Sequence, residues 1–142
     1  MASISFTPYY SFTEKLAEKV FNLGSDTLKI ALSNTAPTLT HTQLSDVTQI
    51  AQSNGYTTGG ETVSISTSSQ STGTYTLVGS GTVTWTASSG AMPEFRYLIF
   101  YDDDASNDEL IGYYDHGSGL TLAEGDSYEV DCGATLVTLA SA

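Results

Sequence analysis

The densest chemistry in the chain is acidic. Asp102, Asp103, Asp104, Asp108 and Glu109 fall within the stretch DDDASNDE. Clustered carboxylates can hold calcium, which takes about six to eight oxygen ligands. Asp102, Asp104, Asp108 and Glu109 are the candidate donors. The stretch departs from an EF-hand loop, because the central glycine and the terminal bidentate glutamate are missing at the required spacing. Paired carboxylates can also act as acid and base on a glycosidic bond, but that needs a cleft built around them. The plainer expectation is a solvated hairpin tip whose charge keeps a strand edge from sticking to other chains. On that reading the carboxylates stand in water, since unpaired charges are costly to bury.

Other reactive groups are sparse. Nucleophilic catalysis needs a base beside the nucleophile, and the histidines are His41 and His116. His41 lies in a threonine-rich loop (TLTHTQ), and His116 in what reads as a glycine-flanked turn (YYDHGSG). Neither belongs to an HExxH or CxxC pattern, and two isolated histidines with one cysteine do not compose a usual zinc site. The one cysteine, Cys132, alternates with Tyr128 and Val130 and reads as a buried thiol. No phosphate-cradling glycine pattern occurs; the GSG triplets belong to hairpins. The residues suggest neither catalytic centre nor cofactor.

The elements that position the acidic stretch read as β. Immediately before it comes FRYLIFY, with Phe95, Tyr97, Ile99 and Tyr101 on one alternating set and Leu98 and Phe100 on the other. An aromatic-rich run that is apolar on both sets is a strand covered on both faces, the central ribbon of the domain. Alternation also marks strands at Leu28, Ile30 and Leu32, at Val63 and Ile65, at Tyr75 and Leu77, and at Val83 and Trp85. NDELIGYYD, GDSYEVDC and TLVTLA supply three more, and Gly, Ser and Pro fill the linkers. Residues 11–22 predict a helix, with Ser11 and Glu14 as a capping box and Gly24 just past its end. LSDVTQIA predicts a short helix or helical turn. The fold class is therefore mainly β: one β-sandwich or jelly-roll-like domain of about eight strands, with one N-terminal helix and one short helix. Residues 1–10 read as an aromatic N-terminal arm that docks on its own domain or on a neighbour, and residues 11–142 as the domain.

Charge narrows the partners. Sixteen acids face four bases, giving −12 over 142 residues. Such a field repels phosphate backbones, so nucleic acid is not an expected partner. No apolar run reaches the length of a membrane helix, and the first residues lack a secretory pattern. With 19 serines and 21 threonines, solubility rests on hydroxyls and carboxylates.

Five blocks then matter together: FNLGSDTLKIALSNTAP, LSDVTQIAQSNGYTTGGETVSIS, VTWTASSGAMPEFRYLIFYDD, LIGYYDHGSGLTLAEGDSYEVD and the terminal TLVTLA. Across residues 20–140 the chain resembles a family of small structural proteins of tailed-bacteriophage virions, either capsid decoration (cement) proteins or other head- or tail-associated proteins. The resemblance implies a non-enzymatic protein made in the host cytoplasm and carried on the capsid surface. It would bind the major capsid protein or other virion proteins through many weak contacts. A homo-oligomer, with a trimer as the working expectation, accompanies that reading. The candidate contact residues are Phe6, Tyr9 and Tyr10 of the arm and Tyr56. A tail or neck location is an alternative. So is a carbohydrate-binding β-sandwich that uses Trp85 with Tyr113 or Tyr114 as stacking platforms beside an acidic-loop calcium.

Overall fold

The computed structural model describes residues 5–141. The chain runs β1 (Thr7–Pro8), α1 (Ser11–Ala17), β2 (Leu28–Ser33), a 3-10 turn (Leu44–Asp46), β3 (Glu61–Ser71), β4 (Thr74–Ser80) and β5 (Thr82–Thr86). It continues through β6 (Phe95–Asp102), β7 (Leu110–Leu120), β8 (Ser127–Asp131) and β9 (Thr135–Ala140). Seven strands form one curled antiparallel sheet in the order β1-β7-β6-β2-β3-β4-β9, and β5 pairs with β8 in a separate ribbon. The domain is mainly β and sandwich-like. All eight strands expected from alternation are present; β1, too short to show any period, is the addition.

β6 lies between β7 and β2, and both its faces are covered. Leu98 and Phe100 join Leu28, Ile30, Leu32, Val63 and Leu77 in the main core, closed over by Val83, Trp85 and Val130 of the ribbon. Tyr97, Ile99 and Tyr101 enter a smaller cluster with Tyr9, Leu44, Val47 and Leu110. Phe95 departs from its expected set. The register shifts between Phe95 and Tyr97, with five steps along β7 (Asp115 to Leu120) against two along β6, and at this irregularity Phe95 joins the main core beside Leu98.

Three local readings change. The helix ends at Ala17 rather than near Asn22, and Lys19, with φ of 65°, takes the left-handed position expected of Gly24. Its N-cap is Tyr10, without a side-chain cap, so Ser11 begins the helix instead of capping it. The second helix shrinks to Leu44–Asp46, held by a capping box between Gln43 and Asp46. His116 is not in a turn: β7 runs on to Leu120, and the ring meets Tyr128 edge-on at 5.9 Å. Gly117, with φ of 97°, belongs to an irregular stretch where the β6 pairing jumps from Asp115 to Leu120.

Candidate functional site

The acidic tip between β6 and β7 is a packed junction, and this corrects the expectation of a tip standing in water. Asp104 is exposed and Asp103 and Asp108 are half-buried, but Asp102 and Glu109 are buried at 0% and 3% exposure. Backbone amides make this possible. Asp102 Oδ1 accepts from the N–H groups of Asp104 (2.9 Å) and Ala105 (3.2 Å), closing the turn. Asp104 Oδ2 accepts from Thr27 N–H at 2.6 Å, and Asp103 N–H returns a bond to Thr27 O at 2.9 Å. Glu109 receives Asn107 N–H and side-chain Nδ2, both at 3.1 Å, and pairs with Lys15 Nζ of α1 at 3.4 Å. Lys29 of β2 meets Asp103 at 3.2 Å. The tip thus ties α1, the turn before β2, and β2 itself to the β6–β7 hairpin.

Asp102 Oδ2 is buried with no donor facing it. Burial, and then the Asp26 carboxyl beside it, push the Asp102 carboxyl up to about 7. Two carboxyl oxygens can join only through a proton, and the raised Asp102 carboxyl is the one placed to supply it at pH below about 7. Burial also raises Asp108, with Asp103 and Glu109 adding to it. Burial acts to raise Glu109 too, but the bonds from Asn107 and the Lys15 ammonium outweigh it and hold the carboxyl below its ordinary value. Three carboxylates of the candidate calcium set therefore have separate tasks: Asp102 closes the local turn, Asp104 ties the tip to Thr27, and Glu109 binds Lys15. No three acidic, histidine or cysteine side chains gather around one point among the described residues.

The aromatic arm lies on the domain. Residues 1–4 fall outside the described residues. From Ser5 onward the chain runs beside β7, with Thr7 opposite Tyr113 and Pro8 opposite Gly112, and Tyr9 N–H bonds Ile111 O at 3.1 Å. Phe6 stacks on Phe100 with ring centroids 4.5 Å apart. Tyr9 is 2% exposed and tilts against Tyr113 at 5.7 Å. Its phenol is held far above the usual range by burial, then by Tyr113. Tyr9 is thus a core residue rather than a contact residue. Tyr10, at 68%, is the one large hydrophobic side chain exposed among the described residues.

Tyr56 is also corrected. It is 2% exposed, donates its hydroxyl to Gln49 Oε1 at 2.6 Å and accepts from Leu32 N–H at 3.1 Å. Burial, opposed by the Leu32 bond, raises its phenol to about 12. It locks the loop before β3 onto β2 and presents no surface. Trp85 is 1% exposed and cannot serve as a stacking platform. Tyr113 and Tyr114 are half-buried and pack toward the smaller cluster and the main core, respectively. Cys132 is buried, and burial raises its thiol.

The sheet curls until its two edges face each other across a groove of about 610 Å³. Residues 5–10 and the start of α1 form one wall, residues 135–139 of β9 the other, and Ile111 lies between them. Its lining holds no charged side chain. Sequence reading missed the β9 wall, although a signal existed: no charged residue follows Asp131. Asp26 and Lys15 were missed because nothing local joins them to the tip. Comparison with protein-family models, curated proteins and solved structures finds no match.

Proposed function

We propose that the chain is a non-enzymatic structural protein of a tailed-bacteriophage virion, which decorates or cements the capsid by multivalent protein contacts. The five sequence blocks that suggest the family support this reading. The geometry adds the observation that carries it: Tyr10 stands exposed on an arm stitched to a sheet edge, beside an uncharged groove, on a body of net charge −12. Exposed aromatics beside uncharged surface are the usual anchors of protein interfaces. The groups with the most shifted proton affinities, Asp102 and the buried tyrosines, are sealed from substrate. That arrangement suits a scaffold that acts by occupying a place on a lattice.

Deleting the arm is a poor test, because it removes Phe6 from Phe100 and Tyr9 from its cluster, confounding binding with folding. Tyr10→Ser leaves both packed. The test mixes purified protein with undecorated heads, and separately with tails, of the same virus and locates added density by cryo-electron microscopy. The expected outcome is ordered density on heads, with Tyr10→Ser lowering occupancy severalfold at equal protein. No added density on any particle would refute the reading, and density on tails alone would refute the capsid placement.

A further inference from the structure

We propose that the open edge of β9 takes an extended segment of a partner protein as an added strand, one with apolar residues at alternate positions and lysine or arginine at its ends. This deepens the attachment reading and rests on it for the partner's nature; the edge geometry stands apart from it.

The two edges that face the groove are built differently. Ser141 N–H bonds Gly73 O at 2.9 Å, and the β4–β9 register continues from there. Antiparallel alternation then turns the N–H groups of Leu139 and Val137 toward β4, and those of Thr138 and Ala140 away from it. β9 pairs with β4 alone among the described residues. On the opposite wall, Tyr9 N–H bonds Ile111 O, so the same alternation points the Pro8 nitrogen outward, where it has no hydrogen to offer. The arm edge is blunted by proline. The β9 edge (TLVTLA) has neither proline, charge nor bulky cap, the devices by which edges are usually protected.

The groove also states what the added strand must look like. Val137 and Leu139 stand opposite Leu77 and Tyr75 in the register, on the core-facing side, yet remain half-exposed because the sheet does not close over them. Phe6 is half-exposed on the facing wall. A strand beside β9 turns every second side chain onto these three, so those residues must be apolar. The groove is uncharged, but the body around it is strongly acidic, so lysine or arginine beyond the groove's ends gains from the field and glutamate loses. The same field disfavours a second copy of the chain as the occupant.

The test uses the full chain, isotope-labelled, with the synthetic peptide KKTVTVTVKK as probe. The Thr138 and Ala140 amide hydrogens should exchange at least about tenfold more slowly when the peptide is bound. An acid-flanked version, EETVTVTVEE, and a version N-methylated at alternate residues should each bind at least about tenfold more weakly. Thr138→Pro should abolish binding; Val137→Glu, which places a carboxylate in the groove at a half-exposed site, should weaken it if the proline variant fails to fold. The proposal is overturned if the N-methylated peptide binds equally well. It is also overturned if Thr138 and Ala140 are already protected without peptide, whether by the chain's own residues or in a dimer. Heads decorated equally by wild type and Thr138→Pro would sink the edge proposal and leave the virion reading intact. Peptide binding by a chain that ignores every virion component would do the reverse.

Discussion

A buried carboxyl with a displaced proton affinity is the residue whose behaviour can be predicted most sharply. Asp102 holds its proton in the fold up to about pH 7, whereas an unfolded aspartate releases it near about pH 4. The folded state therefore binds more protons between those values, and stability falls as pH rises through that window. The contribution is full below about pH 4 and gone above about pH 7. Asp102→Asn keeps a carbonyl oxygen to accept the Asp104 and Ala105 N–H groups of the turn. It also supplies a permanent donor toward Asp26. At pH 8 this variant should be more stable than wild type by about 1–2 kcal/mol, the scale of a satisfied buried hydrogen bond. Urea unfolding of both proteins at pH 4, 5.5, 7 and 8 measures it. A variant that is weaker than wild type at pH 8 would show that the Asp102 carboxylate is stabilised where it lies, contrary to the penalty that burial beside Asp26 imposes on it.

Among elements, the arm and the central strands should come apart under substitution. A Cβ added at Gly112 would lie 2.8 Å from Thr7 O and 3.0 Å from Phe6 Cβ, so Gly112→Ala should lift the two-residue strand β1 off β7. The collision involves an edge segment that can move away, and the expected cost is about 1–2 kcal/mol. The Tyr9 amide should then exchange faster while the Leu32 and Leu98 amides hold. Gly60→Ala differs: its φ is +73° and its Cβ would clash with the backbone of Ile30 and Ala31 in β2. It should destabilise the whole sheet, by about 2–4 kcal/mol, and speed exchange everywhere. Equal loosening of core and arm in Gly112→Ala would mean that β1 is no separable unit. The same contrast explains what was legible from sequence. Strands such as β2 and β5 carry period-two apolar sets, Leu28/Ile30/Leu32 and Val83/Trp85, and could be read directly. β1 holds two residues, and its pairing depends on a glycine more than a hundred positions away. The helix stop fell on Lys19, which composition does not mark. Of the expected contact residues, Tyr9 and Tyr56 were aromatic enough to suggest an interface. Their burial is set by partners distant in the chain, Tyr113 and Leu32, and so only the fold reveals it.

For the whole molecule, charge sets two responses of opposite sign. Sixteen acids and four bases repel one another on balance, and Lys15, Lys29 and Arg96 are already engaged with Glu109, Asp103 and Asp115. Raising sodium chloride from about 20 mM to about 500 mM shortens the screening length from about 20 Å to about 4 Å. It weakens the Lys29–Asp103 and Arg96–Asp115 pairs, which are exposed or half-exposed and worth about 0–1 kcal/mol each even at low salt, and acts less on Lys15–Glu109, whose carboxylate is buried. The long-range repulsion among the remaining carboxylates is relieved over the same range and should dominate. The melting temperature should therefore rise, by about 2–4 °C for each kcal/mol of repulsion removed in a domain of this size. Capture of a lysine-flanked strand by β9 should weaken over that range, since the field that draws in its ends is screened. Scanning fluorimetry and peptide titration at matched salt concentrations test both together. A melting temperature that falls with salt would mean that the ion pairs at the acidic junction outweigh the net field. Peptide affinity indifferent to salt would locate recognition wholly in the uncharged groove, with no part played by the acidic body around it.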